Sequence, residues 1–399
     1  MESFDSIICV GQTPWEGDFQ KAVVQLMRAL AQRHRVLYVD YQYTLRDWLA
    51  GTPGPATSPP NQLSEKPIGD GRVVHVWQPP PMLPVNFLPP QPHDWLLRVN
   101  TSRLANGIRR VMHRLAMHRP LIINAFNPVS GLPLLGRLNE WATIYYCFDE
   151  ITAEAWMSRH GSRYEPAYLG RVDAVITTSE ALRQTKSATQ PRTYCVKNGV
   201  NFELFHSARQ LRPEPTGARP VVGYLGTADD RVDGNIVAYC AQTMPDVTFQ
   251  FVGEVRSDRL RAQLAPYANV QFIPPRQPAD LPPLLARMQA AIIPYVCNAH
   301  TYTIYPLKIN EYLAAGLPVV STPFSILDEF DGIIERAAGP EAFAQALRRA
   351  LADHDPQRLA DRIATARGNA WERRAEEVEA VIEQLRPAPA RVARKPAVT

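Results

Sequence analysis

A repeated alternation of short, unbroken apolar runs with helix-period stretches constrains this chain more than any other feature. Ile7-Ile8-Cys9-Val10 is the first run, Gly11 ends it, and residues 18–33 then place Phe19, Ala22, Val23, Leu26 and Leu30 at helical spacing. Val36-Leu37-Tyr38-Val39-Asp40 follows directly. Strands apolar on both faces, joined through helices by short connections, describe a parallel sheet covered on both sides, so the opening unit reads as a βαβ. Further strands are predicted at 121–124, 143–147, 174–178 and 193–196, with Ser179 placed to cap a helix. After the polar stretch 207–219, rich in Pro, Arg and Glu, the pattern resumes with strands predicted at 221–226, 247–253, 270–274, 290–294 and 318–322. The expected fold class is α/β, with two Rossmann-like, doubly wound domains facing across a cleft, because ligands of such sheets bind at the carboxyl ends of the strands.

Residues 51–92 break the pattern with twelve prolines and read as an insertion holding one strand, 73–77. Residues 98–119 carry Arg98, Arg103, Arg109, Arg110, Arg114 and Arg119 with no acid, and Leu104, Ile108, Val111 and Leu115 give them one apolar stripe. This is a basic amphipathic helix, and with Trp77, Phe87, Leu88 and Trp95 before it, it could rest on an anionic membrane or pack on the core with a solvated face.

Composition narrows the function classes. The 399 residues hold 43 Lys+Arg against 39 Asp+Glu, a formal charge of +4 spread along the chain, which argues against nucleic acid as the partner. The five cysteines lie far apart and suggest neither a zinc site nor a disulfide framework. No apolar run approaches the roughly 20 residues of a membrane span. The acidic start Met1-Glu2-Ser3-Phe4-Asp5 is the reverse of a secretory signal, so a cytoplasmic location is expected, peripheral at the inner face of the membrane if the basic helix binds lipid.

The densest chemistry lies in Tyr305-Pro306-Leu307-Lys308-Ile309-Asn310-Glu311-Tyr312-Leu313-Ala314-Ala315-Gly316. Pro306 fits the first helical position and Gly316 a left-handed stop, giving a helix of about three turns. Free N–H groups at its start and the Lys308 charge make an anion site suited to a diphosphate. Glu311, one turn deeper on the same face, can accept from the two hydroxyls of a ribose. The same spacing also describes a solvated Lys–Glu pair on a capped helix.

At this point the sequence resembles the GT-B glycosyltransferases, in the branch grouped with family 4 enzymes that build bacterial surface polysaccharides. The resemblance rests on Asn198-Gly199-Val200-Asn201 with Phe205, Gly223-Tyr224-Leu225-Gly226, Phe249-Gln250-Phe251-Val252-Gly253, residues 306–320 and Trp371-Glu372-Arg373-Arg374. It implies an acceptor-binding domain over 1–206, a linker at 207–219, a nucleotide-sugar-binding domain over 220–370, a helix at 371–386 crossing back to the first domain, and a tail at 387–399 expected to be disordered. It also implies Lys308 on the diphosphate and Glu311 on the ribose. The chain departs from the pattern at Thr303, where family 4 enzymes usually carry a Glu that grips the transferred sugar. A likeness to the xanthan glucuronosyltransferase implies Tyr295 near the base and the carboxylate of Tyr145-Tyr146-Cys147-Phe148-Asp149-Glu150 as general base.

Position gives Asp149 the same role, since it follows an apolar strand, while Asp149 or Glu150 could instead cap the next helix. Cations must meet the charge that grows on a leaving diphosphate; Lys308, the helix start and Arg231 are placed to do so. Gly226, and Gly11 in the corresponding first-domain loop, let backbone approach a ligand, and His300 lies in the loop before the helix. Asp229, Asp230 and Asp233 are read without a metal, Asp233 as an N-cap. The expected function is therefore transfer of a sugar from a UDP- or GDP-type donor to a saccharide or lipid-linked acceptor, with no cofactor. An epimerase of sugar nucleotides and a catalytically degenerate sugar-nucleotide binding protein are the alternatives.

Overall fold

The computed structural model describes residues 4–17, 21–50, 59–153, 155–213 and 219–385. The chain forms two compact units, one of residues 1–17, 21–197 and 375–399, the other of residues 18–20 and 198–374.

The first unit holds an eight-stranded sheet. Its strands are β1 (Ile7–Val10), β2 (Val36–Val39), β3 (Leu63–Gly69), β4 (Arg72–Trp77), β5 (Leu121–Ala125), β6 (Ala142–Cys147), β7 (Ala174–Thr177) and β8 (Thr193–Cys195), in the order β3-β4-β2-β1-β5-β6-β7-β8. Apart from the antiparallel pair β3–β4, every pairing is parallel. All residues of β1, β2, β5, β6 and β7 are buried, which is why they read as continuous apolar text. Ser179 caps its helix as expected, accepting from the Leu182 amide at 3.2 Å.

The second unit holds a six-stranded, wholly parallel sheet of β9 (Val221–Leu225), β10 (Thr248–Val252), β11 (Val270–Ile273), β12 (Ala290–Ile293), β13 (Val319–Ser321) and β14 (Glu335–Arg336), in the order β11-β10-β9-β12-β13-β14. Counted from its own first strand this is 3-2-1-4-5-6, the Rossmann order, whose direction reverses between β9 and β12. The same reversal occurs in the first unit between β1 and β5.

Three expectations are corrected. The proline-rich insertion holds two strands rather than one, because Pro67 sits on an edge strand where a missing donor is tolerated, and Asp70 and Gly71 take positive φ in the turn. The basic helix spans Pro90–Arg114 rather than 98–119; its early prolines lie in a first turn that needs no amide donors, and Ala116 at φ 47° marks its end. The boundary between units falls at Lys197/Asn198 instead of within 207–219, since Phe202, Phe205 and Ala208 are buried in the core of the second unit. The division also runs through the last helix, Trp371–Glu383, after Arg374. The tail expected at 387–399 lies outside the described residues.

Candidate active site

The helix Leu307–Ala314 is built from the sequence features that announced it. Pro306 stands at the N-cap, one place earlier than expected, and the eight residues make about two turns rather than three. Gly316 takes φ 76° at the stop, a conformation that a side chain would strain. Ile309, Tyr312 and Leu313 are buried, and the Tyr312 hydroxyl accepts from the Leu225 amide at 2.7 Å, fixing the helix against the end of β9. Asn310, fully buried, donates to the Tyr305 hydroxyl at 3.0 Å, and that hydroxyl in turn donates to Glu329.

A cavity of about 350 Å³ lies at this helix start. Its walls include Gly226 and Thr227 after β9, Gly253 after β10 and Tyr295 after β12, so it occupies the point where strand order reverses. Gly226 takes φ 104°, and a Cβ on Gly253 would meet the Gly226 carbonyl oxygen at 2.3 Å, so the two loops touch through backbone alone.

Lys308 projects into an aromatic cradle. Its Nζ lies 3.8 Å from the centroid of the Tyr224 ring and donates to the Tyr295 hydroxyl at 3.1 Å. Burial works to raise the Tyr295 phenol, but the Lys308 and Arg231 charges outweigh it and hold the group below its ordinary range. Arg231 lines the same cavity in a two-point ion pair with Asp229, Nε to Oδ1 at 2.8 Å and Nη2 to Oδ2 at 2.6 Å. Burial raises the Glu311 carboxyl to about 7, against the opposing pull of Lys308. Lys308 and Glu311 therefore do not form the solvated pair that their spacing allows: Lys308 is bonded to Tyr295, and Glu311 lines the cavity half-buried. The site joins a net positive rim to a carboxyl poised near neutrality.

Of the residues singled out in the sequence, Gly226, Arg231, Tyr295, Lys308 and Glu311 line this one cavity, whereas His300 does not. Tyr295 is 3% exposed, so its hydroxyl, rather than an open ring face, is what it contributes here. The three aspartates of the loop each have a protein partner: Asp229 pairs with Arg231, Asp230 accepts from Ser257 at 2.7 Å, and Asp233 caps the next helix by accepting from the Asn235 amide. Tyr224 and Arg276 were missed.

The first unit carries a second cavity, also about 350 Å³, at its own reversal point. Gln12 after β1 and Asn127 after β5 meet there, Asn127 Nδ2 donating to Gln12 Oε1 at 2.6 Å. Gly11 is not among its lining residues; it is packed so closely on Tyr38 that a Cβ would meet the phenol oxygen at 2.3 Å. Asp149 and Glu150 follow β6 but do not line this cavity. Glu150 is held by Lys186, whose Nζ reaches both its oxygens at 3.1 Å and Glu165 Oε2 at 2.8 Å. Burial lowers the Lys186 ammonium, but the surrounding acidic groups more than compensate and keep it charged. Asp149 is half-buried, and its Oδ1 accepts from the Glu150 amide at 2.8 Å.

Known proteins similar to this chain include glycosyltransferases. TuaH of Bacillus subtilis (strain 168), assigned to teichuronic acid biosynthesis as a glycosyltransferase, is 28% identical over 212 residues, covering 48% of this chain and 53% of that protein. The match thus spans about half the length of that relative. Sucrose-phosphate synthase from Thermosynechococcus elongatus superposes with a TM-score of 0.70 at 18% identity, covering 96% of this chain and 99% of the other. An α,α-trehalose 6-phosphate synthase from Burkholderia multivorans gives 0.67 at 13% identity, covering 96% and 97%. At such identities the likeness shows the fold, the two-domain α/β arrangement of the GT-B glycosyltransferases. Residues 219–353, which include Lys308 and most of its cavity's walls, match the model of the family Glycosyl transferases group 1.

Proposed function

We propose that the chain is a glycosyltransferase of polysaccharide biosynthesis, moving a sugar from a nucleoside diphosphate donor of the UDP or GDP type to a saccharide or lipid-linked acceptor. The observation that carries this reading is Lys308, held among Tyr224, Tyr295 and the backbone of Gly226 at the strand-order reversal of the group 1 domain.

The bond from the anomeric carbon to the diphosphate breaks as negative charge grows on the departing oxygen. Lys308, Arg231 and the amides opening the Leu307–Ala314 helix would stabilise that charge. Glu311 would accept from the ribose hydroxyls, and Tyr295 would position Lys308. Asp149, expected as general base from its place directly after β6, would take the proton of the acceptor hydroxyl. Gln12 and Asn127 offer hydrogen bonds to a sugar in the first unit's cavity. Peripheral contact with an anionic membrane belongs to the same reading.

Thermal shifts with UDP, GDP and ADP test it. A ligand bound only by the folded state, at a hundredfold excess over Kd, adds about 2.7 kcal/mol of stability. One diphosphate should raise Tm in the intact protein and not in Lys308→Ala; no shift with any of them would overturn the reading. Release of free nucleotide from a sugar donor only when acceptor is added separates transfer from epimerisation.

A further inference from the structure

Asn310 is a costly residue for its place. It sits in the Leu307–Ala314 helix, fully buried, where an amide is a poor helix former and loses its water, and where an apolar side chain would pack without that loss. Both of its polar atoms are used. Nδ2 donates to the Tyr305 hydroxyl at 3.0 Å, and Oδ1 accepts from Asn369 Nδ2 at 2.9 Å. Asn369 Oδ1 accepts in turn from Arg374 Nη2 at 2.7 Å, and the Tyr305 hydroxyl donates to Glu329.

The two ends of this series set its direction. A guanidinium can only donate and a carboxylate can only accept, so Arg374, Asn369, Asn310, Tyr305 and Glu329 have one consistent arrangement, each donor pointing towards Glu329. Burial, with the Glu329 charge beside it, holds the Tyr305 phenol well above its ordinary range, which keeps its proton in place. Hydrogen bonds aligned in this way strengthen one another and fix the side chains that carry them. Asn310, Glu329, Asn369 and Arg374 do not line the Lys308 cavity, whereas Tyr305 does. Pro306, whose ring holds φ at −81°, joins Tyr305 stiffly to Leu307 and Lys308.

The far end is anchored a second time. The Val200 amide donates to the Asn369 carbonyl at 3.0 Å, and the Trp371 amide donates to the Val200 carbonyl at 3.2 Å. Gly199 is pressed on Trp371, where a Cβ would meet the indole Cδ2 at 2.7 Å. Asn198 Nδ2 then donates to the Tyr305 carbonyl at 3.1 Å. Asn198 opens and Arg374 closes the main segment of the second unit, so both ends of that segment reach the residue two places before the helix.

We propose that Asn369 and Arg374 are positioning residues: through Asn310 and Tyr305 they set the start of the Leu307–Ala314 helix, and with it Lys308, from outside the cavity. That the helix start so placed holds a diphosphate rests on the glycosyltransferase reading; the positioning itself does not.

Amide exchange across the Leu307–Ala314 helix in the ligand-free full chain, and calorimetric titration with UDP, GDP and ADP, test this on one set of variants. Asn369→Leu and Arg374→Leu should each speed exchange and weaken binding of the diphosphate that the parent takes, both by about fivefold, the effect of one internal hydrogen bond. Combined, they should cost no more than either alone because they act through one series, whereas independent packing losses add. Arg374→Lys keeps a donor for Asn369 and should restore both readouts to within roughly twofold of the parent. If either leucine variant does not fold, Asn369→Asp, which keeps an acceptor for Arg374 but as a carboxylate cannot donate to Asn310, carries both readouts. Parent-like exchange and affinity in the variants, additive losses, a Tm that falls while neither readout moves, or an Arg374→Lys that loses as much as Arg374→Leu would overturn the proposal. A parent that binds none of the three diphosphates, while exchange responds as expected, would overturn the glycosyltransferase reading alone.

Discussion

The Tyr295 hydroxyl lies 3.1 Å from Lys308 Nζ, so the cation that faces the cavity is held by a side chain from the adjoining strand end and not by a carboxylate. A carboxylate there would cancel the charge that a diphosphate needs, whereas a phenol orients the ammonium and leaves it charged. Tyr295→Phe should therefore weaken nucleotide binding modestly, by about 1 kcal/mol or some fivefold. Lys308→Ala should cost about 1.5–3 kcal/mol, the range for hydrogen bonds to charged groups. Calorimetric titration of both variants checks the order; equal losses would show that the tyrosine does more than orient.

Glu311 gives the site a pH signature. Its carboxyl titrates at about 7 in the folded chain against an ordinary 4.5, so between those values the folded state keeps a proton that the unfolded state has lost. Folding is thus favoured less as pH climbs from 4.5 to 7. Glu311→Gln should melt above the parent at pH 8 and close to it at pH 4.5, which melting curves across pH will show.

Nucleotide binding should carry the opposite dependence. Ribose hydroxyls donating to Glu311 favour its ionised form, so affinity should rise with pH up to about 7 and then level off, with proton release on binding at pH 6. Titration in two buffers of different ionisation enthalpy measures that proton, and Glu311→Gln should abolish it.

The two carboxylates after β6 should separate by phenotype. Asp149→Asn should fold normally and lower turnover by about 10²–10⁴, the usual contribution of a general base. Lys186→Met would leave Glu150 and Glu165 facing each other in a buried place, and should cost about 3–5 kcal/mol of stability. Chemical denaturation and single-turnover rates on both variants distinguish the roles.

Much of this architecture was legible because strands buried on both faces leave unbroken apolar text, as in Ile7–Val10 and Ala290–Ile293. The edge strand Leu63–Gly69 escaped because Glu65, Lys66 and Pro67 face an environment that tolerates them; Asp70-Gly71 was the available hint. Lys308, Glu311, Gly226 and Arg231 could be found because helix start and loop lie close in sequence to recognisable stops. Gln12 and Asn127 could not, since their meeting depends on which strands become neighbours across 115 positions. Lys186, paired with carboxylates 21 and 36 positions away, left no local trace either.

The last helix has a consequence for biogenesis. Residues 375–385 belong to the first unit, where Arg33 pairs with Glu376 and Glu379, and Val378, Val381 and Ile382 are buried. The first unit therefore gains its full set of native contacts only after the second sheet, which lies between its two segments in the sequence, has been synthesised.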